Sequence, residues 1–233
     1  PRAVEKKYYD VSILAELDNG QSVRAEKSIR LESQRVRLMN GNLVLMPRIK
    51  TAPTIDGVIS EGEWIGRPLD VSSEDKYYNL GEAWNGPEDS SFKAWTAWDD
   101  DYFYLAVESE DDVFCQDNVP GSMWQGDSIQ FGIAEGEPDH LKSAKFNEYG
   151  IALLKDGPSL YRFSSLTDFF PGGEVSNVEL KIKREGTKTC YEMKLPWSET
   201  VDRNFKPTEG SSVSFSLIMN DNDGPMRKGY MMY

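Results

Sequence analysis

Two seven-residue runs, Phe92–Trp98 and Tyr102–Glu108, are dense in aromatic and other apolar side chains and are separated only by Asp99-Asp100-Asp101. Runs of this length are short for a core helix, and three consecutive aspartates make a polar turn, so the pair reads as a β-hairpin. The pattern recurs down the chain. Ile129, Phe131 and Ile133 alternate with Ser128, Gln130 and Gly132, as a strand with one buried face requires. Strands are predicted over 127–133, 146–154, 160–164, 178–185, 189–195 and 212–220. Helix is predicted only as one turn from Ser60 to Trp64, capped by Ser60, and over Pro196–Val201. Many short strands joined by polar turns specify an all-β fold, an antiparallel β-sandwich of jelly-roll-like type.

The first fifty residues read as a separate segment. Tyr9–Leu17 and Val23–Leu31 flank Asp18-Asn19-Gly20, a hairpin turn, and Asn42–Met46 reads as a third strand before Pro47. Segment 1–50 is therefore either the tail of a preceding β domain or a set of edge strands, and 51–233 is the sandwich. The boundary is the breaker-rich stretch Thr51–Gly57, with Pro53 and Asp56-Gly57. Residues 71–91 read as a long polar loop carrying Tyr77, Tyr78 and Trp84. The chain starts at Pro1 and stops at Tyr233 within an apolar run, which suggests a domain, monomeric in itself, within a longer protein.

Charge narrows the partners. Of 233 residues, 39 are acidic and 26 basic, a net charge of -13. Such a surface repels phosphate backbones and anionic membranes, so nucleic acid is not expected as a partner. No apolar run is long enough to span a bilayer. Cys115 and Cys190 belong to no CxxC motif, and their pairing is left open.

Catalytic motifs are scarce. The sole histidine, His140, sits in the polar stretch Glu137-Pro138-Asp139, and there is no GxSxG, HExxH or phosphate-cradling glycine loop. A glycosidase needs only two carboxylates, but no pair stands out among so many. The acidic groups Asp99-Asp100-Asp101, Glu110-Asp111-Asp112 and Asp221-Asn222-Asp223 suit solvated turns, and hard oxygens in irregular loops also suit calcium.

Aromatic residues make up 12% of the chain, more than a core of this size needs, so some are expected at the surface. Sugars stack their C–H faces on aromatic rings while amides and carboxylates bond the hydroxyls. Trp124, with Gln125, Asp127 and Gln130 near it in sequence, has suitable neighbours. Trp95 and Trp98 read as core packing, and Trp64 and Trp197 as plugs over a sandwich end. The residue types alone leave Trp124 open between ligand platform and core lid. Its place before a Gly-Asp turn, outside the Ile129/Phe131/Ile133 set, predicts that it is displayed.

Several stretches in order resemble carbohydrate-binding module family 9: Ile55-Asp56-Gly57, Glu63-Trp64, the 92–107 hairpin, Trp124-Gln125-Gly126-Asp127-Ser128-Ile129-Gln130, Tyr191–Trp197 and Ser214–Asp221. The resemblance implies a sugar-binding β-sandwich that holds its ligand between two aromatic side chains, with calcium supporting the loops. It makes Trp124 one clamp aromatic and Asp111 and Asp127 the calcium-supporting carboxylates. Gln130 stands where the family has Glu. Asn147 stands where a strand of the family offers Arg, with Tyr149 two residues on. The second clamp tryptophan is expected beyond Tyr233, so Trp84, Tyr77 or Tyr78 is the substitute expected here.

The expected function is that of a non-catalytic sugar-binding module of a secreted or cell-surface protein active on polysaccharide. Trp124 would stack, and Gln130, Asn147 and Tyr149 would hydrogen-bond. The alternatives are a haem-binding electron-transfer domain of a related sandwich group, using Met123 and His140, or an accessory or structural domain without a ligand.

Overall fold

Alternation of buried and exposed side chains organises residues 47–233 into two antiparallel sheets packed face to face. The computed structural model describes residues 9–16, 22–29, 44–136, 146–165 and 171–233. The turn expected at Asp18–Gly20 lies outside these, as does His140. By contacts the chain divides into two units, Pro1–Met46 and Pro47–Tyr233. The first contains an antiparallel hairpin, β1 (Tyr9–Glu16) with β2 (Ser22–Ile29), Tyr9 facing Ile29. The expected strand over 42–46 does not form where the chain is described: residues 44–46 are irregular, with Leu45 exposed. No partner strand meets them there, and Pro47 lacks the donor that would extend a ladder.

The second unit contributes β3 (Leu69–Val71), β4 (Tyr77–Asn79), β5 (Ser90–Trp98), β6 (Tyr102–Asp111), β7 (Ser128–Glu135), β8 (Phe146–Leu154), β9 (Gly157–Ser165), β10 (Gly173–Glu174), β11 (Glu179–Glu185), β12 (Lys188–Pro196), β13 (Val213–Asp221) and β14 (Gly229–Met232). One sheet has the order β10-β9-β8-β7-β13-β14-β4 and the other β11-β12-β6-β5-β3. Among the described residues, helix is limited to 3-10 turns at Glu74–Lys76, Pro120–Gln125 and Trp197–Glu199. The all-β antiparallel sandwich is thus the fold. The turn expected at Ser60 is not helical. Glu63 reaches back to the N–H groups of Ser60 and Thr54, and Glu63 N–H donates to the Ser60 carbonyl. The polar stretch 71–91 contains β4, which pairs with β14, Tyr78 facing Tyr230.

The core lies between the sheets. Phe103, Leu105 and Val107 of β6 and Met193 and Leu195 of β12 face Ile129, Phe131 and Ile133 of β7 and Leu217 of β13, all buried. Phe103 joins the layers, its ring 6.3 Å from Phe131 and 5.9 Å from Phe215. A satellite core forms on the other side of β6, where Tyr104 and Ala106 pack with Ile49, Ile55, Trp64 and Ala97. The residues Ile55-Asp56-Gly57 serve this cluster. The backbone N–H groups of Asp56, Gly57 and Val58 and the Trp64 indole N–H all donate to the buried Glu192 carboxylate, at 2.8 to 3.3 Å. Gly57 has φ 81°, and a Cβ there would lie 2.9 Å from Lys183 Cγ, so glycine is needed on both counts. Cys115 and Cys190 are free thiols. No helix among the described residues is long and apolar enough to cross a membrane.

Candidate functional site

Two loops meet at one end of the sandwich: residues 112–127, between β6 and β7, and 222–228, between β13 and β14. Asp127 ties them together. Its carboxylate accepts the backbone N–H of Cys115 and that of Asn222, the latter at 2.9 Å. The Asn222 side chain donates to the Gln125 carbonyl at 2.8 Å, and the Cys115 thiol to the Gly224 carbonyl at 3.3 Å. Gly126 allows this closure, since a Cβ there would lie 2.6 Å from the Cys115 carbonyl oxygen.

The strand ends then converge. Asp111 closes β6, Asp221 closes β13 and Asp127 precedes β7. All three are buried, and each offers a carboxylate oxygen within 4.8 Å of the others. Burial, above all, pushes their carboxyls above the ordinary carboxylate range. It takes Asp221 to about 7, and Asp127 is raised further by the nearby Asp111 charge. Compensation is partial. Arg184 lies 3.3 Å from Asp111, and Lys228 lies 3.7 Å from Asp221. Lys228 serves mainly two members of a neighbouring trio of Asp89, Asp112 and Asp223, standing 2.5 Å from both Asp89 and Asp223. The Asp221 Oδ1 atom is buried with no hydrogen-bond partner. Three converging carboxylates, one of which keeps an oxygen without a hydrogen-bond partner, make a donor set that fits a hard divalent cation.

Beside this cluster, the outer face of the seven-stranded sheet carries a row of polar side chains. Asn220 Nδ2 donates to Gln130 Oε1 at 2.9 Å, and Gln130 Nε2 to Glu148 Oε1 at 3.3 Å. Arg227 Nη1 donates to Asn220 Oδ1 at 2.7 Å. The row therefore crosses β13, β7 and β8. Aromatic rings stand along it. Trp124, on the 3-10 turn Pro120–Gln125, is 39% exposed, whereas its neighbour Met123 is fully buried. The Arg227 guanidinium carbon lies 5.3 Å from the Trp124 ring centre and 5.0 Å from that of Tyr230. Tyr230 in turn stacks on the exposed Tyr78, centroids 4.9 Å apart and planes 16° apart. Exposed ring surface beside amide and carboxylate groups can take an apolar C–H face while bonding its hydroxyls.

Of the expected site residues, Trp124 and Gln130 come together here, linked through Arg227 and Asn220. Asn147 and Tyr149 do not. Both are fully buried on the inner face of β8: Asn147 donates to the carbonyls of Thr200 and Val201, and the Tyr149 hydroxyl to those of Glu199 and Thr200. No ligand reaches them, so their expected contact with sugar is withdrawn. Trp84 is half-buried. Its indole donates to the Ser90 carbonyl at 2.7 Å and its ring stacks on Tyr77, whose hydroxyl bonds Asp221. It packs beside the aspartates, and among the described residues no ring contact joins it to Trp124. Asp111 and Asp127 come together as expected, with Asp221 as an unforeseen third. Of the aromatic substitutes expected, Tyr78 stands on this face against Tyr230, and Asn220, Arg227 and Tyr230 are the other residues that sequence reasoning missed. Met123, which a haem reading requires, is fully buried, and its carbonyl accepts bonds from Gln116 and Ser128. A groove on the five-stranded sheet is lined by acidic residues with Lys93 and Lys188. Its one aromatic, Phe92, is buried, so no ring is displayed there.

Comparison with known proteins agrees with the fold. The family described as carbohydrate family 9 binding domain-like matches residues 55–233. Endo-1,4-beta-xylanase A of Thermotoga maritima is 23% identical over 210 residues, 86% of this chain. The chain spans only 18% of that xylanase. A carbohydrate-binding module family 9 from Caldicellulosiruptor kristjanssonii, solved in complex with cellotriose, superposes with a TM-score of 0.53 at 16% identity, covering 81% of this chain and 82% of that one.

Proposed function

The chain belongs to carbohydrate-binding module family 9, and from that membership we propose that it binds an oligo- or polysaccharide on the outer face of its seven-stranded sheet. Family 9 modules are non-catalytic, so the domain is not an enzyme. Trp124 is the stacking platform and Gln130 bonds the hydroxyls, while the buried Asn220 holds Gln130 and Arg227 in place. The observation that carries this reading is the half-exposed Trp124 ring beside a continuous row of polar groups. Tyr230 and Tyr78 supply the further aromatic surface that a clamp needs.

The aspartates Asp111, Asp127 and Asp221 hold a divalent cation, calcium by the hardness of its ligands. Bound there, the ion would neutralise the trio and lock the two loops against each other. The loop 112–127 also carries Trp124, so the ion's role is to hold the platform in place. The parent is a secreted or cell-surface protein active on polysaccharide. The likeness to a xylanase, of which this chain spans 18%, supports that setting.

Calorimetric titration with cello- and xylo-oligosaccharides tests the site. A stacked tryptophan contributes on the order of one to a few kcal/mol, so Trp124→Ala weakens binding at least about tenfold. Its melting temperature changes little, because a displayed ring leaves no cavity. Unchanged affinity in the variant removes Trp124 from the site. A glycan array on which the wild-type protein binds nothing defeats the whole reading.

A further inference from the structure

We propose that Arg227 makes this site prefer a sugar that carries a carboxylate, a uronic acid residue, over its neutral counterpart. The inference rests on the carbohydrate-binding reading and specifies its ligand class.

The argument starts from how this protein treats its other buried cations. Arg162 pairs with Glu199 at 2.8 Å, Arg184 with Asp111 at 3.3 Å, and Lys228 with Asp89 and Asp223 at 2.5 Å. Arg227 pairs with no carboxylate among the described residues, in a chain with 39 acidic side chains. Its hydrogen bonding there is one bond to a neutral amide oxygen, Asn220 Oδ1, and its Nε–H is buried with no acceptor. Burial pulls the guanidinium below its ordinary pKa, as expected of a cation withdrawn from water without a counter-charge. A half-buried cation left short of acceptors is costly unless something completes it.

Geometry says what that something is. The Trp124 and Tyr230 rings occupy two sides of the guanidinium, Nη1 is taken by Asn220, and Nη2 makes no hydrogen bond among the described residues. A planar fork approached edge-on matches the two oxygens of a carboxylate, which it binds with parallel, charge-assisted bonds. A neutral sugar offers hydroxyls but no such pair. The carboxylate on the same row, Glu148, stands at the far end, where it accepts from Gln130. The row is thus polarised, cationic beside Trp124 and anionic across the sheet, which orients an acidic sugar with its carboxylate toward Arg227.

Titrating the protein with glucuronic-acid-substituted xylo-oligosaccharides and with their unsubstituted counterparts decides the matter. The acidic ligand is expected to bind at least about tenfold tighter, with a preference that shrinks as salt rises. Arg227→Gln brings the ratio of the two affinities close to one. Arg227→Lys, which keeps charge but loses the fork, retains part of it and serves should Arg227→Gln not fold. Equal binding of both ligands by the wild-type protein overturns this inference and leaves the sugar-binding reading intact. A preference that persists undiminished in both variants also overturns it. Binding of neither ligand, with none on a wider glycan array, overturns both.

Discussion

Glu192 and the Asp111/Asp127/Asp221 trio are both buried acids, at different places in the sandwich, and they are provided for in opposite ways. Glu192 is surrounded by donors: three backbone N–H groups of the 56–58 segment and the Trp64 indole point at its two oxygens. Burial raises its carboxyl, and those bonds to the charged form work against that rise. Each carboxylate of the trio has fewer donors than Glu192, and the three together carry more charge. Asp221 keeps an orphaned oxygen, and all three carboxyls are pushed up. A buried carboxylate completed by N–H groups belongs to the fold, whereas converging carboxylates left incomplete are suited to receive a cation.

Removing Glu192 should give the largest effect. Glu192→Ala strands four donors in a dry site and should cost about 3–5 kcal/mol, read from urea denaturation, with or without calcium. A loss under about 1 kcal/mol would erase the contrast. Calcium comes next. At a free concentration of about a hundred times its Kd it should stabilise the protein by about 2.7 kcal/mol and raise the melting temperature, and EDTA should reverse this. Asp221→Asn should abolish that response, and identical wild-type curves in calcium and EDTA would sink the cation site.

A smaller effect is expected from pH. In EDTA the folded carboxyl of Asp221, raised to about 7, favours its proton more than the unfolded one does. Its contribution is therefore fully present below about pH 4 and lost as pH rises through about 7. With calcium bound the trend over that range should reverse, since the ion requires the ionised form. Stability that rises with pH in EDTA would contradict the assignment. The smallest stability effect belongs to Trp124→Ala, within about 0.5 kcal/mol, because that ring serves the surface rather than the core. A loss of several kcal/mol would make it a core residue.

The longer strands were legible because aromatic and β-branched residues alternate between turns, as in 92–98 and 102–108. Strands β3, β4 and β10 were not, because two or three residues carry no periodicity. Asn147 and Tyr149 were misjudged although a signal existed. They share a face with Ile151 by the strand period of two, and Ile151 belongs to the core. Asp221 could not be joined to Asp111 and Asp127 without knowing that β13 pairs with β7. The seat of Arg227 between two rings depends on a loop-to-strand contact that no local pattern encodes.

The margins of the two sheets carry a consequence of their own. The seven-stranded sheet ends in β10, two residues long, and β4, three residues long. The other ends in the three-residue β3 and in β11, where Lys181 and Lys183 point into solvent. The short outermost strands give an incoming chain little to pair with, and charge repels it from β11. Sandwiches crowded side by side on a polymer would meet at short or charged margins, which disfavours strand pairing between them.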